Sequence, residues 1–156
     1  MDLMQTRVLQ FLSHDWRSIL RWIVPFSIVF LLDQVSKSTA THFGSVVMNE
    51  GVSFGLKIPN ELILAVAVVY VFLLKHFKKF GLSMMWIGII CGAIWSNLFD
   101  RLMYGSVRDW ITISVFGSSV KNNLADFVLV FSAIALIAVQ YRHERQRNQA
   151  STKDSV

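Results

Sequence analysis

The stretch from Asn97 to Asp126, NLFDRLMYGSVRDWITISVFGSSVKNNLAD, decides how the rest of the chain is read. It carries three aspartates, Asp100, Asp109 and Asp126, inside or beside segments apolar enough to cross a bilayer. A carboxylate at bilayer depth costs at least about 2.5–3.5 kcal/mol on insertion scales, so an intramembrane acid is a functional-site hypothesis by default. Three in one neighbourhood point to acid/base chemistry at a membrane surface. Asn97, Asp100 and Arg101 stand three and four apart and share one helical face. The alternating run from Trp110 to Val115 predicts a short strand or hairpin outside the membrane.

Outward from that stretch, the chain reads as an all-α integral membrane protein. Of its 156 residues 54% are hydrophobic and only 16% charged, and mean hydropathy is +0.50, too apolar for a soluble domain of this length. Four runs are predicted to span, at about 19–40, 62–77, 82–103 and 123–141. The first is a retained span rather than a cleaved signal, since no A-x-A-like site follows it and Asp33 and Lys37 lie within it. A short interfacial helix is expected before it. The connector 42–60, with Gly44, Gly51, Gly55 and Pro59, reads as extended chain. Together with 104–122 it forms a small β-like extracytoplasmic subdomain, and the basic, polar tail 142–156 is expected to be disordered. All of 1–156 is one membrane domain, and the single Cys91, in an apolar run, is a packing residue.

Net charge is +5 and the pI about 9.7. The basic residues are not a nucleic-acid patch, because they gather at the ends of apolar runs: Arg7, Arg17 and Arg21, then Lys75, Lys78 and Lys79, then Arg142, Arg145 and Arg147. The two outer connectors hold only Lys57, Arg108 and Lys121. This asymmetry predicts an N-in, C-in protein whose polar cluster gathers at the outer leaflet.

Two carboxylates held close together cannot both ionise easily, so one keeps a proton and the pair can act as base and acid on a shared water. The chain between Asp109 and Asp126 is mostly extended and long enough to turn back and bring them together. Structural readings stand beside this one. Asp100 can pair with its neighbour Arg101, and Asp33 with Lys37 at i, i+4 makes a neutralised intramembrane pair. Asp126, early in an apolar span and without a basic neighbour, is hardest to explain as structure. His14, His42, His76 and His143 are scattered and form no zinc motif, and no Gly-rich phosphate loop is present, so neither metal nor cofactor is expected. A serine nucleophile would need Lys37 near Ser53 or Ser96, which no spacing demands. A small proton-coupled transporter subunit is the rival from another class. It would use Asp126 and Asp100 as a relay and leave Asp109 dispensable.

Five segments in chain order resemble those of the bacterial lipoprotein signal peptidase (signal peptidase II) family: Leu32-Asp33-Gln34-Val35-Ser36-Lys37, Asn49-Glu50-Gly51-Val52-Ser53-Phe54, Cys91 through Asn97 to Arg101, Val107-Arg108-Asp109-Trp110, and Asn122-Asn123-Leu124-Ala125-Asp126. The resemblance implies a four-span aspartic endopeptidase of the bacterial cytoplasmic membrane, with its site toward the extracytoplasmic face. It would cleave diacylglyceryl-modified prolipoproteins on the amino side of the lipidated cysteine, as a monomer among membrane lipid. It assigns catalysis to Asp109 and Asp126. Asn49, Gly51, Phe54, Asn97, Asp100, Arg101, Asn123 and Ala125 are assigned to substrate binding or support, and Asp33 and Lys37 to bracing the first span. Cys91, Ser96, Arg108 and Asn122 depart from the family pattern, Cys91 standing where a glycine is usual. Ser96 replaces a glycine and is expected to tighten a helix contact. Arg108 replaces a valine and is expected to favour ionisation of Asp109, and Asn122 stands where an aromatic is usual. A catalytically silent, lipoprotein-binding homologue is the further alternative.

Overall fold

A computed structural model describes residues 3–51, 83–115 and 117–153. Its elements in chain order are helix α1 (Leu3–His42), strand β1 (Val47–Asn49), helix α2 (Met84–Tyr104), strands β2 (Val107–Asp109), β3 (Ile111–Val115) and β4 (Ser118–Asn122), and helix α3 (Leu124–Lys153). The span expected at 62–77 lies outside the described residues, as does Phe54.

The burial pattern is inverted relative to a soluble protein. Asp33, Lys37, Ser96, Asp100, Arg108, Asp109 and Asn123 are buried, while Ile19, Leu20, Ile28, Leu31, Val35, Phe131, Ile134 and Ile137 face outward. Exposed aliphatic side chains around a charged interior suit a hydrocarbon solvent, which rewards no apolar burial but penalises every exposed charge. Trp16–His42 and Leu124–Gln149 are long and apolar enough to cross a membrane. Helix α2 packs against both α1 and α3 and carries much of the polar load.

Two of the expected boundaries move. The N-terminal segment is not a separate interfacial helix but the first turns of the 40-residue α1. The tail expected to be disordered is helical, α3 continuing to Lys153. Its segment 142–153 contains neither Gly nor Pro and is rich in Arg, Gln and Glu, whose helix propensity outweighs the polar composition that suggested disorder.

Close approach of α1 and α2 depends on small residues at i, i+4 and i+8: Gly88, Gly92 and Ser96. A Cβ built on Gly88 would sit 2.2 Å from the Trp22 carbonyl oxygen, and one on Gly92 2.5 Å from that of Phe26. Around this seam Ile87 and Cys91 pack with Trp22, Phe26 and Met84, which bears out the packing role of Cys91.

Helix α2 ends at Gly105, which adopts φ 73° and donates its N–H to the Arg101 carbonyl at 3.0 Å. That left-handed residue reverses the chain into β2. β2 pairs antiparallel with β1, Met48 opposite Arg108, and β3 pairs with β4, Ile111 opposite Asn122. The Trp110 N–H donates to the Asn122 carbonyl at 2.9 Å, so the hairpin returns Asn123 to the side of Asp109. The expected extended subdomain is therefore present, and it delivers the start of α3 to the end of β2.

Gly92→Ala should lower the thermal stability of the purified protein in detergent by about 1–3 kcal/mol, because the methyl group meets backbone rather than a side chain that can move. Leu102→Ala, at an exposed position, is the matched control and should leave the melting curve unchanged.

Candidate active site

The N-terminus of α3 is the meeting point of the polar residues. Asn123 precedes the helix and accepts the Asp126 N–H on Oδ1 at 3.0 Å, while Asp126 Oδ2 accepts the Asn123 N–H at 3.2 Å. This reciprocal pair is a capping box, which satisfies one free N–H of the first turn and one at the residue before it. The Ala125 N–H, a further free donor of that turn, is taken by Asp33 Oδ1 at 2.9 Å. Asp126 is thus fixed in the first turn of α3, and α1 reaches across to hold that turn in place.

Asp109 ends β2. Its Oδ1 accepts from Asn123 Nδ2 at 2.7 Å and its Oδ2 from Asn49 Nδ2 at 2.8 Å. Asn49 is oriented in turn by the Gly51 N–H, 3.0 Å from its Oδ1, and the Gly51 carbonyl accepts from Arg101 Nη2 at 2.8 Å. Asn123 therefore touches both acids at once, with its amide nitrogen on Asp109 and its amide oxygen on the backbone of Asp126. Burial raises the Asp109 carboxyl above its ordinary range, opposed by hydrogen bonds from Asn49 and Asn123 and by the positive charges of Lys37 and Arg101.

Lys37 supports this arrangement from α1. Its fully buried ammonium group lies 2.6 Å from Asp33 Oδ2, 3.2 Å from Asp100 Oδ2 and 2.8 Å from Asn97 Oδ1. Three donors meet three acceptors. Because the Asn97 oxygen is taken by Lys37, its Nδ2 faces Asp126, donating to Oδ1 at 2.8 Å. Lys37 thus sets the Asn97 amide rather than touching either acid of the candidate pair.

Two expectations about charge pairing are corrected. Asp100 does not pair with Arg101. Its oxygens take Arg108 Nη2 at 2.7 Å, the Arg108 backbone N–H at 3.0 Å and Arg108 Nε at 3.3 Å, with Lys37 and Gln34 Nε2 completing the set. Adjacent residues on a helix diverge by about 100°, whereas the reversal at Gly105 brings Arg108 back over Asp100. Arg108 in turn does not face Asp109, because successive strand residues point to opposite faces. It is not the source of the positive charge that Asp109 feels, which comes from Lys37 and Arg101.

Ser96 lies in the α1–α2 seam and is hydrogen-bonded to α1. Its hydroxyl donates to Asp33 Oδ2 at 2.7 Å and accepts from Gln34 Nε2 at 2.9 Å, and Asn97 keeps both of its partners. Gln34 is the residue that sequence reasoning missed. The signal was available, since Gln34 stands three residues from Lys37 and one from Asp33 at the polar end of an apolar span. Of the expected site residues, Asp33, Lys37, Asn49, Gly51, Asn97, Asp100, Arg101, Asp109, Asn123, Ala125 and Asp126 form one connected network. Among the described residues no group of His, Cys, Asp and Glu is arranged to hold a metal ion.

A family model described as signal peptidase (SPase) II matches residues 26–142. A lipoprotein signal peptidase of Anaplasma phagocytophilum is 27% identical over 148 residues, covering 81% of this chain and 95% of the relative. One from Burkholderia multivorans is 30% identical over 151 residues, covering 80% and 89%. A solved bacterial membrane enzyme structure, obtained by the in meso method at 2.3 Å resolution, superposes with a TM-score of 0.67 at 21% identity, covering 84% of this chain and 90% of that one.

Lys37→Met should destabilise the protein by about 3–5 kcal/mol, since it leaves the buried carboxylates of Asp33 and Asp100 short of one countercharge. Unfolding followed by tryptophan fluorescence in detergent would measure it. A loss below about 1 kcal/mol would show that the ammonium group is not needed to neutralise them.

Proposed function

The chain belongs to the signal peptidase II family, and from that premise we propose that Asp109 and Asp126 are its catalytic pair. It is a membrane peptidase that removes signal peptides from prolipoproteins. The observation that carries the assignment is Asn123, whose one side chain bonds both acids and so joins β2 to α3 at a single point. In this reading the ionised member of the pair takes a proton from water as the water oxygen attacks the scissile carbonyl. The protonated member donates to the developing oxyanion. Collapse of the tetrahedral intermediate breaks the C–N bond, and a proton held by the pair passes to the leaving amine.

The finer features of the reading follow the same logic. The cut falls on the amino side of a diacylglyceryl-modified cysteine. The chain crosses the cytoplasmic membrane four times with both termini inside, and the acids work at the outer leaflet as part of a monomer. Basic residues clustered at one set of helix ends support that orientation. Arg101, with one guanidinium nitrogen on the Gly51 carbonyl and Nη1 without a partner among the described residues, supports a role in holding substrate backbone.

The proton-relay alternative is not favoured. It needs Asp100 free to exchange protons, yet both Asp100 oxygens are taken up by Arg108, Lys37 and Gln34. The silent-homologue alternative gains nothing either, because both acids are present with their asparagine partners.

Purified wild-type protein should cleave a diacylglyceryl-modified prolipoprotein in detergent, and Asp109→Asn and Asp126→Asn should each abolish cleavage. No cleavage by folded wild-type protein would instead favour the silent homologue or the relay. The acid limb of kcat/KM should lie above about pH 4, the ordinary carboxylate value, because burial raises Asp109 and the pair must hold one ionised member. Activity is then lost as pH falls through that limb. A limb at or below the ordinary value would show that the hydrogen bonds from Asn49 and Asn123 and the nearby cations outweigh burial at Asp109.

A further inference from the structure

Strand β2 is three residues long and, among the described residues, pairs only with the equally short β1. A two-stranded sheet of this size has little stability of its own. Its last residue is Asp109, so something other than the sheet must fix that carboxylate. The face of β2 opposite Asp109 carries Arg108, which is buried. Arg108 spans the Asp100 carboxylate with Nη2 on Oδ1 at 2.7 Å and Nε on Oδ2 at 3.3 Å, and its own N–H reaches Oδ2 at 3.0 Å. Nη2 also donates to Gln34 Oε1 at 2.7 Å, and the Tyr104 ring lies 4.6 Å from the guanidinium carbon. Gln34 closes the ring by donating to Asp100 Oδ1 at 3.0 Å. Backbone and side chain of a single strand residue are thereby tied to α1 and α2 at once. Around Asp100 the cations Lys37 and Arg108 stand against the acids Asp33 and Asp100.

We propose that Arg108 is a positioning residue for Asp109: its bidentate grip on Asp100, braced by Gln34, holds β2 in the place that sets Asp109 against Asn123 and Asp126. The role rests on Asp109 being one of the two catalytic acids. Arg108 touches neither Asp109's carboxylate nor the reacting atoms, and a planar fork is what the site requires. A lysine keeps the charge but cannot bond both Asp100 oxygens and Gln34 in one plane.

Arg108→Lys and Gln34→Met are compared with wild type for kcat, KM and melting temperature on a diacylglyceryl-modified prolipoprotein, with Asp109→Asn alongside. For Arg108→Lys, kcat should fall on the order of 10-fold or more, as expected for a catalytic group held slightly out of place. KM should stay within about twofold, since substrate binding uses other residues. Gln34→Met should lower kcat in the same way by a smaller factor, and the double variant should lose less than the product of the two. Wild-type kcat in folded Arg108→Lys, with Asp109→Asn inactive, would overturn the positioning role alone. Should Arg108→Lys fail to fold, Gln34→Met decides, and wild-type kcat there overturns it. Full activity in Asp109→Asn would remove the catalytic assignment and this role with it.

Discussion

A lysine ammonium group with no access to water governs this structure. Burying an isolated ammonium costs several kcal/mol even after relaxation, and the cost is recovered only when geometry gives it every partner it can use. Lys37 has three N–H donors and finds Asp33, Asp100 and Asn97. Each partner then has a second task. Asp33 holds the first turn of α3, Asp100 holds β2, and Asn97 turns its amide toward Asp126. One charge on α1 thus fixes three elements, because no member can leave without stranding another in a medium that does not solvate it.

The start of α3 shows how closely folding and chemistry share atoms. Free N–H groups of a helix end must be satisfied, and here residues of the site satisfy several of them: Asn123, Asp126 and Asp33. An acid used as a cap is held rigidly, which is what a general acid or base needs. With Asp126 in the proposed catalytic role, the arrangement also couples stability to activity, since a side chain that leaves the site also uncaps the helix.

Much of this was legible in the sequence where the cause is local. Asp33 and Lys37 at i, i+4 form the expected pair, the alternating run after Trp110 forms a hairpin, and that hairpin is what brings Asp109 and Asp126 together. Reading failed where adjacency in the chain was taken for adjacency in space. Arg101 follows Asp100 yet points to Gly51, and Arg108 precedes Asp109 yet bonds Asp100. Both errors come from neglecting the angle between successive side chains, 100° on a helix and 180° on a strand. Gln34 was missed for another reason: its place beside Asp33 was visible, but its partners lie far along the chain on α2 and β2. The tail was misjudged because polar composition argues disorder, while the absence of Gly and Pro lets the helix continue.

The glycine seam between α1 and α2 also constrains traffic. At Gly88 and Gly92 the helices leave no room for even one added methyl group. A fatty-acyl chain is at least one methylene wide, so it cannot pass between these two helices at Gly88 and Gly92. Anything that approaches the polar cluster from within the membrane must therefore come by a side other than the Gly88–Gly92 seam.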